Sequence, residues 1–120
     1  MRAFFLWLSN RRWLGRLAMA TPLVRRMPFR FVAGTTLDQA VEAVRALNAT
    51  GASATLDVLG EAVTDRAAAD RAAAAYVATI ERIAAEGLDA NVSIKLTQMG
   101  LDLGDEACLA VMEPVVAAGT

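Results

Sequence analysis

The residues of this chain that are best suited to chemistry lie near the ends of two short apolar segments, 52–58 and 91–96. Asp57 is the last charged residue of the first segment, and Lys95, the only lysine of the chain, has the same place in the second. A lysine in a buried strand is costly unless it is paired or contacts an anion. The two residues therefore form either a structural ion pair or a site in which Lys95 binds a carboxylate or phosphate and Asp57 orients it.

A second carboxylate, Glu61, follows the flexible Gly60 in the loop after the first segment. One interpretation is a solvated charge close to the start of the next helix. The other is an ion-pair partner for a group that closes over the site. Spacing alone does not separate the two interpretations.

The composition rules out several kinds of catalysis by this chain. It has no histidine and one cysteine, so it lacks Ser-His-Asp and Cys-His arrangements, histidine-containing metal sites and cysteine metal clusters. No metal site is predicted. Cys108 lies in an apolar helical pattern and is predicted to be a small buried residue. Any chemistry must use carboxylates, lysine, arginine or a bound cofactor.

Both apolar segments have the alternation of a β-strand. Each presents an apolar face suited to packing under helices, formed by Ala54, Leu56 and Val58 in the first strand and by Val92, Ile94 and Leu96 in the second. The opposite faces are polar and contain Asp57 and Lys95. On adjacent parallel strands these two side chains are expected to lie close together.

A helix is predicted before the first strand and another between the two strands. The first begins after Thr36, which with Gln39 matches a capping box, and ends near Gly51. The second is capped by Thr64 or Asp65 and ends at Gly87. Their predicted buried positions recur at helical spacing: Leu37, Ala40, Val41, Val44 and Leu47, then Ala73, Tyr76, Val77, Ile80, Ile83 and Ala84.

A third helix is predicted to begin near Asp105, and Pro114 is expected to kink or restart it because proline lacks an amide hydrogen. The order is then helix, strand, helix, strand, helix. Two strands joined by a helix of this length predict a right-handed βαβ unit with parallel strands, and so an α/β fold. With 56% hydrophobic residues the chain has the composition of a globular domain.

Charge divides the chain into two parts. Residues 1–37 contain seven arginines and no acid, whereas the remainder contains five basic and thirteen acidic residues. This asymmetry predicts a basic helical arm and loop at 1–34, attached to a folded domain at 35–120. The apolar run at residues 4–8 is far shorter than the roughly 20 residues of a membrane span.

Three stretches of the sequence, 30–34, 56–63 and 91–101, resemble the N-terminal part of bacterial monofunctional proline dehydrogenase. The specific features are Asp57-Val58-Leu59-Gly60-Glu61 and Val92-Ser93-Ile94-Lys95-Leu96-Thr97, taken together in this order and at this separation. The resemblance covers residues 28–120. It implies the first two βα units of a (β/α)₈, or TIM, barrel preceded by N-terminal helices.

The resemblance also implies a function and roles for three residues. Proline dehydrogenases bind FAD, oxidise L-proline to 1-pyrroline-5-carboxylate and pass the electrons to membrane quinone. Lys95 is expected to bind the proline carboxylate, Asp57 to line the same pocket, and Glu61 to act as a gate by pairing with an arginine from the last barrel helix. No FAD-binding residue is expected within these 120 residues.

A whole barrel of this kind has about 250 residues, so the chain is expected to be a truncated product or fragment that is inactive alone. The protein is expected to be cytoplasmic. Its basic arm is interpreted as a helix on an anionic membrane surface, as an extra helix capping the barrel, or as a nucleic-acid contact, which the acidic domain disfavours. The alternative function is a non-enzymatic module that binds a membrane surface or a partner protein.

Overall fold

The computed structural model describes residues 34–120, which form three α-helices and a sheet of two parallel strands. The elements follow in the order α1 (Leu37–Asn48), β1 (Ala54–Asp57), α2 (Arg66–Ala85), β2 (Ala90–Ser93) and α3 (Asp105–Ala118). A short 3₁₀ helix (Leu101–Leu103) precedes α3. The predicted α/β class, element order and parallel pairing are confirmed. Apart from Gly34, the predicted basic arm lies outside the described residues.

Helix α1 begins as the sequence predicts. The amide of Gln39 donates to the Thr36 hydroxyl, 3.4 Å away, which caps the first turn. Val41 and Val44 are buried, but Leu47 is 48% exposed. The prediction that Leu47 belongs to the buried face was therefore wrong.

The connection from α1 to β1 contains a glycine in a left-handed conformation. Gly51 has a φ of +83°, in the left-handed region that glycine adopts without steric cost. This conformation was predicted and is confirmed.

The two strands pair in register, with Asp57 opposite Ser93. Both are shorter than predicted, because the segment after β2 turns instead of continuing the sheet. The amide of Gln98 donates to the Lys95 carbonyl (2.9 Å), and that of Met99 donates to the Leu96 carbonyl (3.0 Å). Lys95 and Leu96 therefore lie past the end of β2, and Leu96 is 48% exposed and does not belong to the buried face.

Helix α2 connects the two strands and supplies three of the seven residues of the buried cluster. Asp65, one of the two predicted caps, accepts a hydrogen bond of 2.8 Å from the amide of Ala68. Ala84, predicted to be buried, is exposed. The buried cluster joins α2, α3 and the turn between β2 and α3, and consists of Ala69, Ala73, Tyr76, Met99, Cys108, Val111 and Val115.

Helix α3 begins at Asp105 as predicted and runs unbroken to Ala118. Cys108 is buried, which confirms its predicted role as a core residue. Of the two predicted effects of Pro114, the restart was wrong, while the kink stays a prediction. Pro114 and Ala110, whose carbonyl would otherwise accept its amide hydrogen, are both exposed, so water can replace the missing bond.

The end of the sheet where both strands begin, the amino edge, is held by polar groups. Asn48 donates to the carbonyls of Ala52 (2.9 Å) and Asp89 (3.0 Å), and it accepts from the amide of Asp89 (3.0 Å). One side chain thus joins the end of α1 to the starts of both strands. Among residues 34–120 no helix has the length and apolar character needed to cross a bilayer.

Four charged side chains extend this amino edge between α1 and α2. Glu86 pairs with Arg45 and with Arg82, whose Nε lies 2.9 Å from its carboxylate, and Arg82 also lies 3.1 Å from Asp38. Two of these ion pairs, Arg45–Glu86 and Asp38–Arg82, link residues more than forty positions apart in the chain. They therefore fix α1 against the far end of α2.

Candidate functional site

Asp57 and Lys95 form an ion pair at the opposite end of the sheet, the carboxyl edge, where both strands end. The Lys95 ammonium donates to Asp57 Oδ2. Asp57 is the last residue of β1 and lies opposite Ser93, and Lys95 follows Ser93 by two residues, just past the end of β2. The predicted proximity of these two side chains is confirmed.

Neither member of this pair is buried by residues 34–120. The side chains of Lys95 and Asp57 are 50% and 40% exposed. The premise that Lys95 lies inside a buried strand was therefore wrong. An ion pair as exposed as this adds at most about 1 kcal/mol to the free energy of unfolding, and its cation remains accessible to a ligand.

Two buried polar side chains lie behind the pair. The hydroxyl of Tyr76, on α2, is 3.0 Å from Gln98 Oε1 and 3.5 Å from Asp57 Oδ1. Gln98 is 3% exposed, and its Nε2 donates to the carbonyl of Val58 at 3.3 Å. This donation turns Oε1 of the amide towards Tyr76. The carboxyl edge thus holds a connected set of polar groups that leads from the core to Lys95.

The environment of Tyr76 keeps its hydroxyl protonated. Burial raises the pKa of Tyr76 above its ordinary value of 10.0, and the negative charge of Asp57 raises it further, while the charge of Lys95 opposes this. At neutral pH the hydroxyl is therefore a hydrogen-bond donor. Its two acceptors within reach are the amide oxygen of Gln98 and the carboxylate of Asp57.

The loop after β1 is fixed at two points of this edge. The Val58 carbonyl accepts from Gln98, and the amide of Val63 donates to the Thr97 carbonyl (3.2 Å). Between them, Gly60 lies so close to Gln98 that a Cβ at this position would collide with the side-chain amide. Gly60 is therefore required for close approach, which differs from the flexibility expected from the sequence.

Glu61 lies in this loop and is exposed. It takes part in none of the ion pairs formed among residues 34–120. Glu61 therefore lies in the loop that follows Asp57, but it forms no ion pair with Lys95. Its predicted role as a gate stays a prediction.

Sequence reasoning missed the contribution of Tyr76 and Gln98 to this site. Tyr76 was predicted only as a core residue, and Gln98 was given no role. One signal was present, because Tyr76 is the only tyrosine of the chain and the only aromatic residue of an alanine-rich helix. A buried tyrosine usually has a hydrogen-bond partner for its hydroxyl.

The described residues do not form a site for a metal or for the phosphates of a dinucleotide. Residues 34–120 contain no cluster of three or more metal-binding side chains. All three helix N-termini carry a carboxylate at the cap or in the first turn, which disfavours phosphate there: Asp38, Asp65 and Asp105. Four of the five cations in this part of the chain are in ion pairs: Arg45, Arg66, Arg82 and Lys95.

Comparison with known proteins identifies relatives along nearly the whole chain. Proline dehydrogenase 1 of Bacillus subtilis subsp. natto is 39% identical over 119 residues, which is 98% of this chain and 38% of the relative. Proline dehydrogenase 2 of Bacillus subtilis strain 168 is 33% identical over 102 residues, 85% of this chain and 33% of the relative. No family model matches the sequence.

A third relative extends the comparison beyond Bacillus. Proline dehydrogenase of Deinococcus radiodurans is 39% identical over 71 residues, 59% of this chain and 23% of the relative. The resemblance predicted from the motifs around Asp57 and Lys95 is therefore confirmed. The chain spans 38% of the length of the Bacillus proline dehydrogenase 1 that it matches.

Proposed function

We propose that this chain, which is related to proline dehydrogenases along nearly its whole length, forms the wall of an active site that binds the carboxylate of L-proline. The observation that carries the proposal is the accessible ammonium of Lys95, held by Asp57 at the carboxyl edge of two parallel strands. In proteins built from βα units, binding and catalytic groups collect at this edge.

The proposed complete protein is a (β/α)₈ barrel, of which β1–α2 and β2–α3 are the first two units. Support comes from the parallel pairing, the helical crossover and the position of the polar groups. Within residues 34–120 the two strands leave both sheet edges unpaired, and further strands would cover these edges. The remaining units would be supplied by sequence that the relatives have and this chain does not cover, so that the chain alone is inactive.

Within this site Lys95 acts as a point charge with three donors. One N–H is given to Asp57, and the other two are available for the two oxygens of the proline carboxylate. A charge-assisted hydrogen bond of this kind contributes about 1.5–3 kcal/mol to binding. Asp57 balances the ammonium before the substrate arrives and fixes its position.

Glu61 is proposed to gate the site. It is exposed, and it lies on a loop fixed at Val58 and Val63, so its carboxylate is presented from a defined position. Its proposed partner is an arginine from a part of the barrel outside this chain. Closure of that ion pair would exclude water from the bound substrate.

The proposed reaction is the oxidation of L-proline to 1-pyrroline-5-carboxylate with FAD as cofactor. When bound, FAD would supply the acceptor for the hydride that leaves proline. Because residues 34–120 lack a suitable phosphate site, the FAD contacts are assigned to the rest of the barrel. We further propose that the electrons pass to quinone, and that the basic arm contacts the cytoplasmic membrane surface peripherally.

The proposal is tested in a grafted enzyme, in which this chain replaces the matching segment of proline dehydrogenase 1 from Bacillus subtilis subsp. natto. The expected result is proline-dependent reduction of a dye by the graft. Replacing Lys95→Met should raise the KM for proline at least about tenfold, which corresponds to the loss of one charge-assisted hydrogen bond.

Arg66→Met is the matched control for this measurement. Arg66 is also a half-exposed cation paired with an aspartate, Asp70, at 2.7 Å, but it lies on α2 away from the carboxyl edge. Its replacement should leave the KM for proline unchanged. An active graft in which Lys95→Met has no larger effect than Arg66→Met would refute the proposed role of Lys95.

A further inference from the structure

We propose that Tyr76 and Gln98 are positioning residues, which act through Asp57 to fix the direction in which Lys95 presents its ammonium to a carboxylate. This inference rests on the proposed function and deepens it. Its starting point is that the two oxygens of Asp57 have different neighbours. Oδ2 accepts from Lys95, while Oδ1 lies 3.5 Å from the hydroxyl of Tyr76.

The Lys95 side chain alone does not fix the direction of its ammonium group. Its four-carbon stem is flexible, and half of the side chain is exposed. Fixing one of its three N–H groups on Asp57 fixes where the other two point. The precision of the binding site therefore depends on how firmly the Asp57 carboxylate is held.

Asp57 is itself 40% exposed, and its backbone ends a four-residue strand. The fixed group beside it is Tyr76, which is completely buried on a twenty-residue helix. The Tyr76 hydroxyl has one proton and two acceptors within reach, and it can rotate between them without movement of any heavy atom. The hydroxyl can therefore donate its proton either to Gln98 Oε1 or to Asp57 Oδ1, and its oxygen stays beside Oδ1 in both cases.

Gln98 holds the Tyr76 hydroxyl in place. Both ends of its buried amide have partners, because Nε2 donates to the Val58 carbonyl and Oε1 accepts from Tyr76. A buried amide with one end unpaired is costly, so this orientation is strongly preferred. Val58 follows Asp57 directly, and the contact to its carbonyl anchors the end of β1 on which the carboxylate is mounted.

The experiment uses the same grafted enzyme and a double-mutant cycle. Tyr76→Phe removes the hydroxyl and keeps the ring in the core. It should raise the KM for proline about tenfold and leave kcat within about twofold, the pattern expected when binding is weakened equally in the ground and transition states. Thr79→Val is the control, since Thr79 is a buried hydroxyl on the same helix that bonds only to the Ala75 carbonyl, at 2.8 Å.

The cycle tests whether Tyr76 acts through Asp57. In an Asp57→Asn background, Tyr76→Phe should raise the KM by less than about twofold. If Tyr76 acts through Asp57, the effects of the two substitutions on KM do not add. Additive effects, or a Tyr76→Phe graft with the parent KM, would overturn the inference while leaving the proposed function intact. A parent graft that cannot oxidise proline would refute both.

Gln98→Met provides a second test of the positioning role. It removes both hydrogen bonds of the amide with little change in volume, and it should raise the KM in the same direction as Tyr76→Phe. If Tyr76→Phe prevents folding, the result for Gln98→Met decides. An unchanged KM in a folded Gln98→Met graft would contradict the inference.

Discussion

The two ends of the small sheet use the same kinds of side chain in different ways. At the amino edge, the amide of Asn48 makes three hydrogen bonds, and Glu86 is shared by two arginines. At the carboxyl edge, the ammonium of Lys95 makes one hydrogen bond, to Asp57, among the residues that the structure describes. The first arrangement joins several elements through shared partners, whereas the second leaves N–H donors of Lys95 available.

The comparison of the two edges shows that burial alone does not locate the candidate binding site. The most buried polar side chains, Gln98 and Tyr76, support the carboxyl edge from behind, and the accessible group in front is a half-exposed lysine. A rigid interior that carries an accessible charge is the arrangement expected of a binding site. The amino edge holds elements together instead, and the two edges should respond differently to substitution.

The largest expected effect on stability comes from the amino edge. Asn48→Ala removes three hydrogen bonds between α1 and the starts of the strands, and it should lower the free energy of unfolding by about 2–3 kcal/mol. Urea denaturation of the grafted enzyme measures this. The KM for proline should stay at the parent value, and a raised KM would break the proposed separation of the two edges.

A smaller loss of stability is expected at the carboxyl edge from Gly60→Ala. The added Cβ would displace the amide of Gln98, and overpacking of this kind costs about 1–2 kcal/mol. Unlike Asn48→Ala, this variant should also raise the KM for proline. Gly87→Ala is the control, because Gly87 has a φ of +60° but nothing within 4 Å of the new Cβ, and it should affect stability alone.

The smallest expected effect is the pH dependence of Tyr76. Because the folded protein raises its pKa above the ordinary 10.0, the unfolded chain loses this proton first as the pH rises. Between the two pKa values the folded state holds more protons, so its stability falls with increasing pH and is unaffected at lower pH. The difference in phenolate absorbance between the parent and Tyr76→Phe grafts measures the titration.

Asp57→Asn sharpens this last prediction. Removing the negative charge should lower the pKa of Tyr76 part of the way back, because burial, the larger cause, remains. A pKa that returns completely to its ordinary value would show that Asp57, and not burial, dominates. A pKa that does not move would show that the hydroxyl does not sense the carboxylate.

The fold was largely predictable because its signals are local. Thr36, Asp65 and Gly51 act on the residues next to them, and strand alternation placed Asp57 and Lys95 on one side. The ends of the strands were not predictable in the same way. Whether residues 94–96 continue β2 or turn depends on the hydrogen bonds of Gln98 and Met99, which apolar alternation does not encode.

The front of the site was predictable, and its support was not. A single lysine near the end of an apolar segment is identifiable from the sequence, and so is an aspartate at the end of the other apolar segment. Tyr76 and Gln98 are separated from Asp57 by 19 and 41 positions, and their polar ends meet only because α2 packs across the sheet. A tyrosine at a core position predicts a partner for its hydroxyl without saying which residue supplies it.

The carboxylate-binding role of Lys95 is tested most directly by comparing L-proline with L-prolinamide as substrates of the grafted enzyme. If Lys95 binds the carboxylate, the parent should prefer proline in kcat/KM by about tenfold or more, and Lys95→Met should lose that preference by slowing proline oxidation alone. A Lys95→Met graft that retains the full preference for proline would contradict the account.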